Sequence, residues 1–103
     1  MVGVNDIVIT GIGCVTPTGI GRAALWRSLE QGECGVRQLY TTADGARTTF
    51  YGAPINDFDG KQYVTPRKAL KVMSREVQLA YSSAHLAWDD AALGQLALEP
   101  DRV

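Results

Sequence analysis

The chain has 103 residues and a formal net charge of −1 at pH 7, with 46% hydrophobic and 20% charged residues. This length allows one domain at most, and the balanced charge excludes both a disordered chain and a protein that binds nucleic acid through excess positive charge. No apolar run approaches the roughly 20 residues of a membrane span, and the N-terminus lacks the features of a signal peptide. We therefore predict a cytoplasmic protein that contacts neither nucleic acid nor membrane.

The first predicted element is a core strand over residues 6–13. Its sequence Ile-Val-Ile-Thr at 7–10 is β-branched and shows no polar alternation, which is typical of a strand covered on both faces of an α/β sheet. A glycine-rich link follows, and the apolar spacing of "RAALWRSLEQG" then predicts a helix over 22–31 that ends at Gly32. The fold class predicted from these elements is α/β.

A loop-rich middle third separates these elements from the second predicted helix. "TTFYGAPI" predicts a short strand over 48–53, ended by Pro54. Thr65 as N-cap and Pro66 as first helical residue then predict one long amphipathic helix over 66–92. Its apolar residues recur in steps of three and four: Leu70, Met73, Val77, Ala80, Tyr81, Ala84, Ala87, Trp88 and Ala91.

The glycines after the first predicted strand suggest a dinucleotide-binding fingerprint, which requires G-x-G-x-x-G between a strand and a helix. Counting from Gly11, the sixth residue is Thr16 and Pro17 follows, so no helix begins in register. "GIGRAA" from Gly19 fits better but stands away from the strand, and no acidic residue follows on a second strand. We predict that the glycines allow positive φ angles and close backbone approach, and a nucleotide-binding module stays open as an alternative.

Several residues of types that often act in catalysis or metal binding are predicted to have only structural or surface roles here. Cys14 and Cys34 show neither metal-ligand nor disulfide spacing, and we predict that both are unpaired thiols packed as small apolar groups. His85 lies beside the apolar stripe of the long helix, where a lone histidine is more often packed or solvated than a catalytic base. Asp89 and Asp90 point about 100° apart on a helix and are predicted to form solvated surface. The sequence therefore predicts no catalytic residue and no metal site.

Helix stability does not explain a group of basic residues at the start of the long predicted helix. Arg67 and Lys68 would occupy the first turn, where the macrodipole favours acids, and Lys71 and Arg75 continue the stripe with Glu76 as the one nearby acid. A helix start with added cations favours anions. The pattern indicates docking of an acidic or phosphorylated partner, and a solvated polar face is the alternative.

An ordered set of motifs resembles the elongating β-ketoacyl-acyl-carrier-protein synthases, the condensing enzymes of fatty acid and polyketide synthesis. "IVITGIGCVTPTGIGRAALWRSLEQGECGVRQL" is similar to the family's first strand, its glycine-rich exit, its first helix and a G-x-[SC]-G-[IV] turn. "DFD" and "PRKALKVMSREVQLAYSSAHLAWDDAAL" resemble the following basic-start helix. The resemblance spans nearly the whole chain, with a looser match over 40–55, and implies the N-terminal portion of a thiolase-like fold.

The resemblance also implies a reaction whose catalytic residues this stretch lacks. Family members transfer an acyl chain to a cysteine and condense it with a malonyl unit, assisted by two histidines and a lysine that lie beyond the matching region. Cys14, Cys34 and His85 match none of these, so the chain is expected to be an inactive N-terminal fragment that binds no cofactor. The positions carried over are Arg67, Lys68 and Lys71, which match basic residues that meet the acidic, phosphopantetheinylated acyl carrier protein.

The expected fragment has a consequence for association. A core strand without its neighbours and an uncovered apolar helix face would pair with other chains. We therefore predict a homo-oligomer formed by the edge of the strand at 7–10, the apolar stripe of the long helix, or an exchange of one of them. A small self-associating interaction domain, functional at this length, is the alternative to a condensing-enzyme fragment.

Overall fold

The computed structural model describes residues 3–102 and mixes helices with antiparallel strand pairs, which is consistent with an α/β fragment. The regular elements are β1 Val15–Thr16, β2 Gly19–Ile20, α1 Arg22–Glu30, β3 Arg37–Ala43, β4 Ala46–Gly52 and α2 Arg75–Asp90. Short 3-10 segments lie at Gly60–Gln62, Arg67–Val72, Leu93–Gln95 and Pro100–Arg102.

The core strand predicted over residues 6–13 is wrong for this structure. That segment runs without a strand partner, and the side chains of Ile7 and Ile9 are 99% and 82% exposed. A strand exists only where another strand takes up its backbone N–H and C=O groups. Within residues 3–102 no strand pairs with this segment, and its β-branched residues Ile7, Val8 and Ile9 are exposed.

The prediction of the first helix is confirmed. Helix α1 spans Arg22–Glu30, and Gly32 follows with a φ of +68°. The N–H of Glu33 donates to the carbonyl of Ser28 at 2.9 Å, as in a Schellman C-cap. A residue with a side chain disfavours this left-handed conformation, so Gly32 ends the helix as its sequence position predicts.

The short strand predicted over 48–53 is present as β4, but it forms a hairpin that was not predicted. β3 pairs with β4 in antiparallel register from Arg37 opposite Gly52 to Ala43 opposite Ala46. The two-residue loop consists of Asp44 and Gly45, with φ angles of 51° and 78°, which match the left-handed conformation that Asp-Gly loops adopt.

The single long helix predicted over 66–92 is divided in two. Residues Arg67–Val72 form a 3-10 segment, Met73 is extended, and α2 begins at Arg75 with Ser74 as its N-cap. The hydroxyl of Ser74 accepts a hydrogen bond from the N–H of Val77 at 3.3 Å. Thr65 is therefore not the N-cap of the long helix, because a serine nearer the apolar repeat satisfies the free N–H groups of the helix start.

The glycine-rich segment, residues 11–21, lies directly against α2 at Gly11 and Gly13. A Cβ on Gly13 would lie 2.0 Å from the carbonyl oxygen of Ser83 and 2.3 Å from the backbone nitrogen of Ala87. A Cβ on Gly11 would lie 2.5 Å from the nitrogen of Ala91. The prediction that these glycines permit close backbone approach is confirmed, although the partner is a helix and the segment is not a strand.

The buried apolar core is small and lies between the 3-10 segments and α2. Phe58 and Val64 are the buried hydrophobic side chains of the described residues, at 8% and 2% exposure. The ring of Phe58 stacks on Tyr63 with a centroid distance of 6.0 Å, and the guanidinium of Arg75 lies 5.7 Å above the Phe58 ring. The packing around Phe58 therefore includes Arg75, the first residue of α2.

Candidate functional site

The three cations predicted to bind an acidic partner lie together on one exposed turn. Arg67, Lys68 and Lys71 belong to the 3-10 segment Arg67–Val72, and each is exposed to solvent. We call these three residues the basic turn. No acidic residue lies within this segment, and in the described part of the chain none of the three forms an ion pair. Their charges are therefore available to a partner.

The helix-dipole part of the sequence argument does not hold. The basic turn lies in a six-residue 3-10 segment, which has too few aligned peptide groups to give the macrodipole of a long helix. The first turn of α2 instead carries Glu76, and hydrogen bonds from its own backbone N–H and from Ser74 lower the pKa of that carboxyl. The positive charge of the basic turn therefore comes from its side chains alone.

Arg75, the fourth cation of the predicted stripe, has a structural role. Its guanidinium donates to the carbonyl of Ile55 and lies over the ring of Phe58. These two contacts tie α2 to the loop before the first 3-10 segment. The structure thus separates Arg75 from the three free cations of the basic turn.

The two thiols are unpaired, as predicted, but they differ in exposure. Cys14 is half-buried, whereas Cys34 is exposed. The prediction that both thiols are packed is therefore wrong for Cys34. Cys34 borders an open cavity of about 500 Å³ together with Glu33, Arg37 and Asp57. Cys34 lies in the loop between α1 and β3.

His85 and its neighbouring aspartate form a local pair on α2. The Nε2 atom of His85 lies 3.2 Å from a carboxylate oxygen of Asp89, one turn further along the helix, and the His85 side chain is 41% exposed. Tyr81 and Trp88 flank it on the same helix face. This contact occupies Nε2 of His85 and fits a solvated surface histidine.

Asp90 performs a role that was not predicted from sequence. Its carboxylate accepts hydrogen bonds from Nε and Nη2 of Arg22, at 3.1 and 3.0 Å, and from the N–H of Ile12 at 2.9 Å. These bonds, that from Arg22 first, lower the pKa of Asp90. Asp90 lies on the surface, as predicted, but it also joins the glycine-rich segment, α1 and α2, which was not predicted. No sequence signal marks it, since the partners lie 68 and 78 residues away.

Gly11, Gly13 and Gly19 leave no room for a phosphate group. The space that an anion would need beside Gly11 and Gly13 is filled by the backbone of α2. A Cβ on Gly19 would lie 2.6 Å from the Cβ of Ala24, so this position too is packed against the chain itself. Among the described residues, no group of three or more His, Cys, Asp or Glu side chains is placed to hold a metal ion.

Comparison with known proteins decides the family. The family model described as "Beta-ketoacyl synthase, N-terminal domain" matches residues 4–103. This chain belongs to the β-ketoacyl synthase family. The match takes in the glycine-rich segment, the hairpin, the basic turn and α2, and it agrees with the resemblance seen in the sequence motifs.

Individual relatives in the β-ketoacyl synthase family include 3-oxoacyl-[acyl-carrier-protein] synthases and a polyketide synthase subunit. The chain is 33% identical over 87 residues to "3-oxoacyl-[acyl-carrier-protein] synthase 2" of Coxiella burnetii, covering 84% of this chain and 21% of that protein. It is 29% identical over 97 residues to the protein of the same name from Synechocystis, covering 94% and 23%. It is 36% identical over 98 residues to the "Tetracenomycin polyketide synthase ketoacyl synthase alpha subunit" of Streptomyces glaucescens, covering 94% and 22%.

The chain thus spans about a fifth of the length of the curated relatives that it matches. No solved structure matches it significantly. In residues 3–102, no helix is both long enough and apolar enough to cross a membrane.

Proposed function

We propose that this chain is the N-terminal portion of a 3-oxoacyl-[acyl-carrier-protein] synthase, which condenses an acyl thioester with a malonyl-carrier protein. The observation that carries the proposal is the family match over residues 4–103. The names of the relatives, which include 3-oxoacyl-[acyl-carrier-protein] synthases and a polyketide ketoacyl synthase subunit, favour the same reaction class. The thiolase-like fold of the complete domain is part of this proposal.

We further propose that the 103-residue stretch does not catalyse condensation by itself. An acyl-accepting cysteine needs a nearby base or a positive environment that favours the thiolate. Cys34 is exposed in a loop, and the one histidine of the chain, His85, is engaged with Asp89 on the surface of α2. These surroundings support packing and surface roles for the cysteines and the histidine.

The proposed role of this stretch in the reaction is to dock the acyl carrier protein. Arg67, Lys68 and Lys71 are exposed, close in sequence and free of acidic partners among the described residues. A carrier protein that is acidic and carries a phosphopantetheine group presents negative charge to such a surface. Long-range attraction of this kind mainly increases the association rate and is screened by salt.

The docking proposal is tested by charge reversal. Lys68→Glu combined with Lys71→Glu should weaken binding of an acidic acyl carrier protein to the chain, measured by calorimetric titration at low salt. Lys68→Glu alone is compared with Lys61→Glu as the control, because Lys61 is also an exposed lysine but lies outside the basic turn. In a complete synthase, the double substitution should raise KM for acyl carrier protein more than KM for small acyl thioesters. Equal losses with Lys61→Glu, or equal KM changes for both substrates, would contradict docking.

The alternative, a small self-associating interaction domain, is favoured by a specific observation. Large apolar side chains are exposed on several elements, including Ile9, Trp26 and Val77 at 82%, 63% and 51%. Such surfaces support the proposal that the chain forms a homo-oligomer. Carrier-protein binding by the basic turn distinguishes the two functions, because an interaction domain that uses its apolar faces does not need those cations.

A further inference from the structure

The basic turn is connected to α2 by two residues that belong to no helix. Met73 and Ser74 are both extended, with ψ angles of 126° and 165°, and they separate the 3-10 segment Arg67–Val72 from α2. Each residue of such a connection has two soft backbone angles, so the connection by itself does not fix where the three cations lie relative to α2. The contacts that hold these two residues therefore determine the position of the positive charge.

Gln78 holds this connection from the helix side. It is the fourth residue of α2, and its side chain is half-buried. Its Nε2 donates to the carbonyl oxygen of Met73 at 3.2 Å, and its backbone N–H donates to the carbonyl oxygen of Ser74 at 3.0 Å. A carbonyl only accepts hydrogen bonds, so the NH₂ side of the carboxamide faces Met73. One residue thus binds the carbonyl groups of both connecting residues.

The carboxamide of Gln78 also packs against the buried Gly60. A Cβ on Gly60 would lie 2.4 Å from Oε1 of Gln78 and 3.2 Å from Cδ2 of Leu70. Leu70 is half-buried and belongs to the same 3-10 segment as the basic turn. The carboxamide and the inner side of that segment therefore meet at one glycine. Because the carboxamide lies between Gly60 and the Met73 carbonyl, its hydrogen bond has a defined direction.

We infer that Gln78 is a positioning residue for carrier-protein docking, because its carboxamide holds the basic turn in one orientation relative to α2. This inference rests on the proposed docking of acyl carrier protein to Arg67, Lys68 and Lys71. Cations that are already held in the bound arrangement lose less freedom on binding, and such preorganisation increases affinity. Gln78 acts through the Met73 carbonyl and does not need to touch the partner. The contacts involved lie within this chain, whichever of its outer surfaces a longer protein covers.

Gln78→Met tests the positioning directly in a complete synthase that contains this stretch. Methionine keeps the length and helix propensity of glutamine but has no N–H group to donate. The N–H groups of Ala69 and Met73 donate to the carbonyls of Pro66 and Leu70. Amide hydrogen exchange at these two N–H groups should become faster by about threefold or more. The middle of α2 should keep its protection, which shows that the variant is folded.

The kinetics of the same variant distinguish positioning from a general loss of activity. Gln78→Met should raise KM for acyl carrier protein by about three- to tenfold, the effect of one lost hydrogen bond, and leave KM for small acyl thioesters unchanged. Gln62→Met is the control, because Gln62 is also a glutamine but is exposed on the neighbouring 3-10 segment. Combined with Lys68→Glu and Lys71→Glu, Gln78→Met should raise KM little further, because the cations that it positions are already lost.

Unchanged exchange at Ala69 and Met73, equal rises in KM for both kinds of substrate, or an equal effect of Gln62→Met would overturn the inference. Failure of the docking proposal itself gives a different pattern. In that case Lys68→Glu with Lys71→Glu would leave KM for acyl carrier protein unchanged, and the role of Gln78 in docking would be wrong with it, even where exchange at Ala69 and Met73 became faster.

Discussion

At the scale of single residues, Gly13 shows how closely the glycine-rich segment approaches α2. A methyl group there would lie 2.0 Å from the Ser83 carbonyl oxygen and 2.3 Å from the Ala87 nitrogen, and both contacts are with helix backbone that cannot move independently. Gly13→Ala should therefore lower the free energy of unfolding by about 1–3 kcal/mol or more, measured by urea denaturation. Gly94→Ala is the matched control, because its nearest contact would be Trp88 Nε1 at 3.6 Å. Equal effects of the two substitutions would contradict the close packing.

Asp90 predicts a pH dependence of stability. Hydrogen bonds from Arg22 and from the N–H of Ile12 lower the pKa of Asp90 from its ordinary value of 3.8. A carboxyl whose pKa is lower in the folded chain stabilises it above the unfolded pKa, and this contribution disappears as pH falls through the folded pKa. Stability should therefore decrease below about pH 4, as followed by urea denaturation at a series of pH values.

Replacing the Asp90 carboxylate with an uncharged amide isolates its contribution to the stability of the fold. Asp90→Asn should reduce stability near neutral pH and flatten the decrease below about pH 4. Asp57→Asn is the control, because Asp57 makes no ion pair in the described structure. If Asp57→Asn flattened the profile as much as Asp90→Asn, the assignment to the bonds between Asp90, Arg22 and Ile12 would be wrong.

At the scale of elements, the division of the predicted long helix leads to a direct comparison of two caps. Ser74 accepts a hydrogen bond from the N–H of Val77 and caps α2, whereas Thr65 precedes the separate 3-10 segment. Ser74→Ala should cost about 1 kcal/mol of folding free energy and reduce helicity by circular dichroism. Thr65→Ala should change both quantities little. A larger effect of Thr65→Ala than of Ser74→Ala would contradict the divided helix and support the single helix predicted from the apolar spacing.

The elements that sequence predicts well are those determined by local chemistry. Helix α1 is bounded by its apolar spacing and by Gly32, and both signals lie within the element itself. The hairpin also had a local signal, since Asp44 and Gly45 form a typical two-residue loop between strand-forming residues. The strand predicted at residues 6–13 failed because pairing depends on a partner that local sequence does not specify.

The candidate site was likewise predictable from sequence only in part. The exposure of Arg67, Lys68 and Lys71 follows from their charge, because ionised side chains without a partner are rarely buried. The sequence located them correctly on the surface, although on a 3-10 segment. The structural use of Arg75 and Asp90 was not predictable, because their partners are distant in sequence. Residue charge and sequence motifs indicate which positions lie on the surface. Hydrogen bonds between segments that are distant in the chain are visible only in the folded structure.

At the scale of the whole molecule, the chain is less compact than a domain of its size. Its radius of gyration is 18.2 Å, whereas a compact chain of this length has about 13 Å. Its accessible surface is 8379 Å², compared with about 5,700 Å² expected for a folded monomer of this mass. The extra surface comes from the exposed N-terminal segment, the hairpin and the uncovered sides of the helices. Stability must therefore depend strongly on the few residues that are buried.

The two phenylalanines of the chain test this dependence, because one is buried and one is exposed. Phe58 is 8% exposed and packs against Tyr63 and Arg75, whereas Phe50 lies on the hairpin at 47% exposure. Phe58→Ala should cost about 3 kcal/mol or more, which is enough to unfold a marginal chain and to remove its helical circular dichroism. Phe50→Ala should leave the helices folded, because its side chain covers no part of the core. Similar loss of helix in both variants would show that the hairpin, and not the packing around Phe58 and α2, maintains the fold.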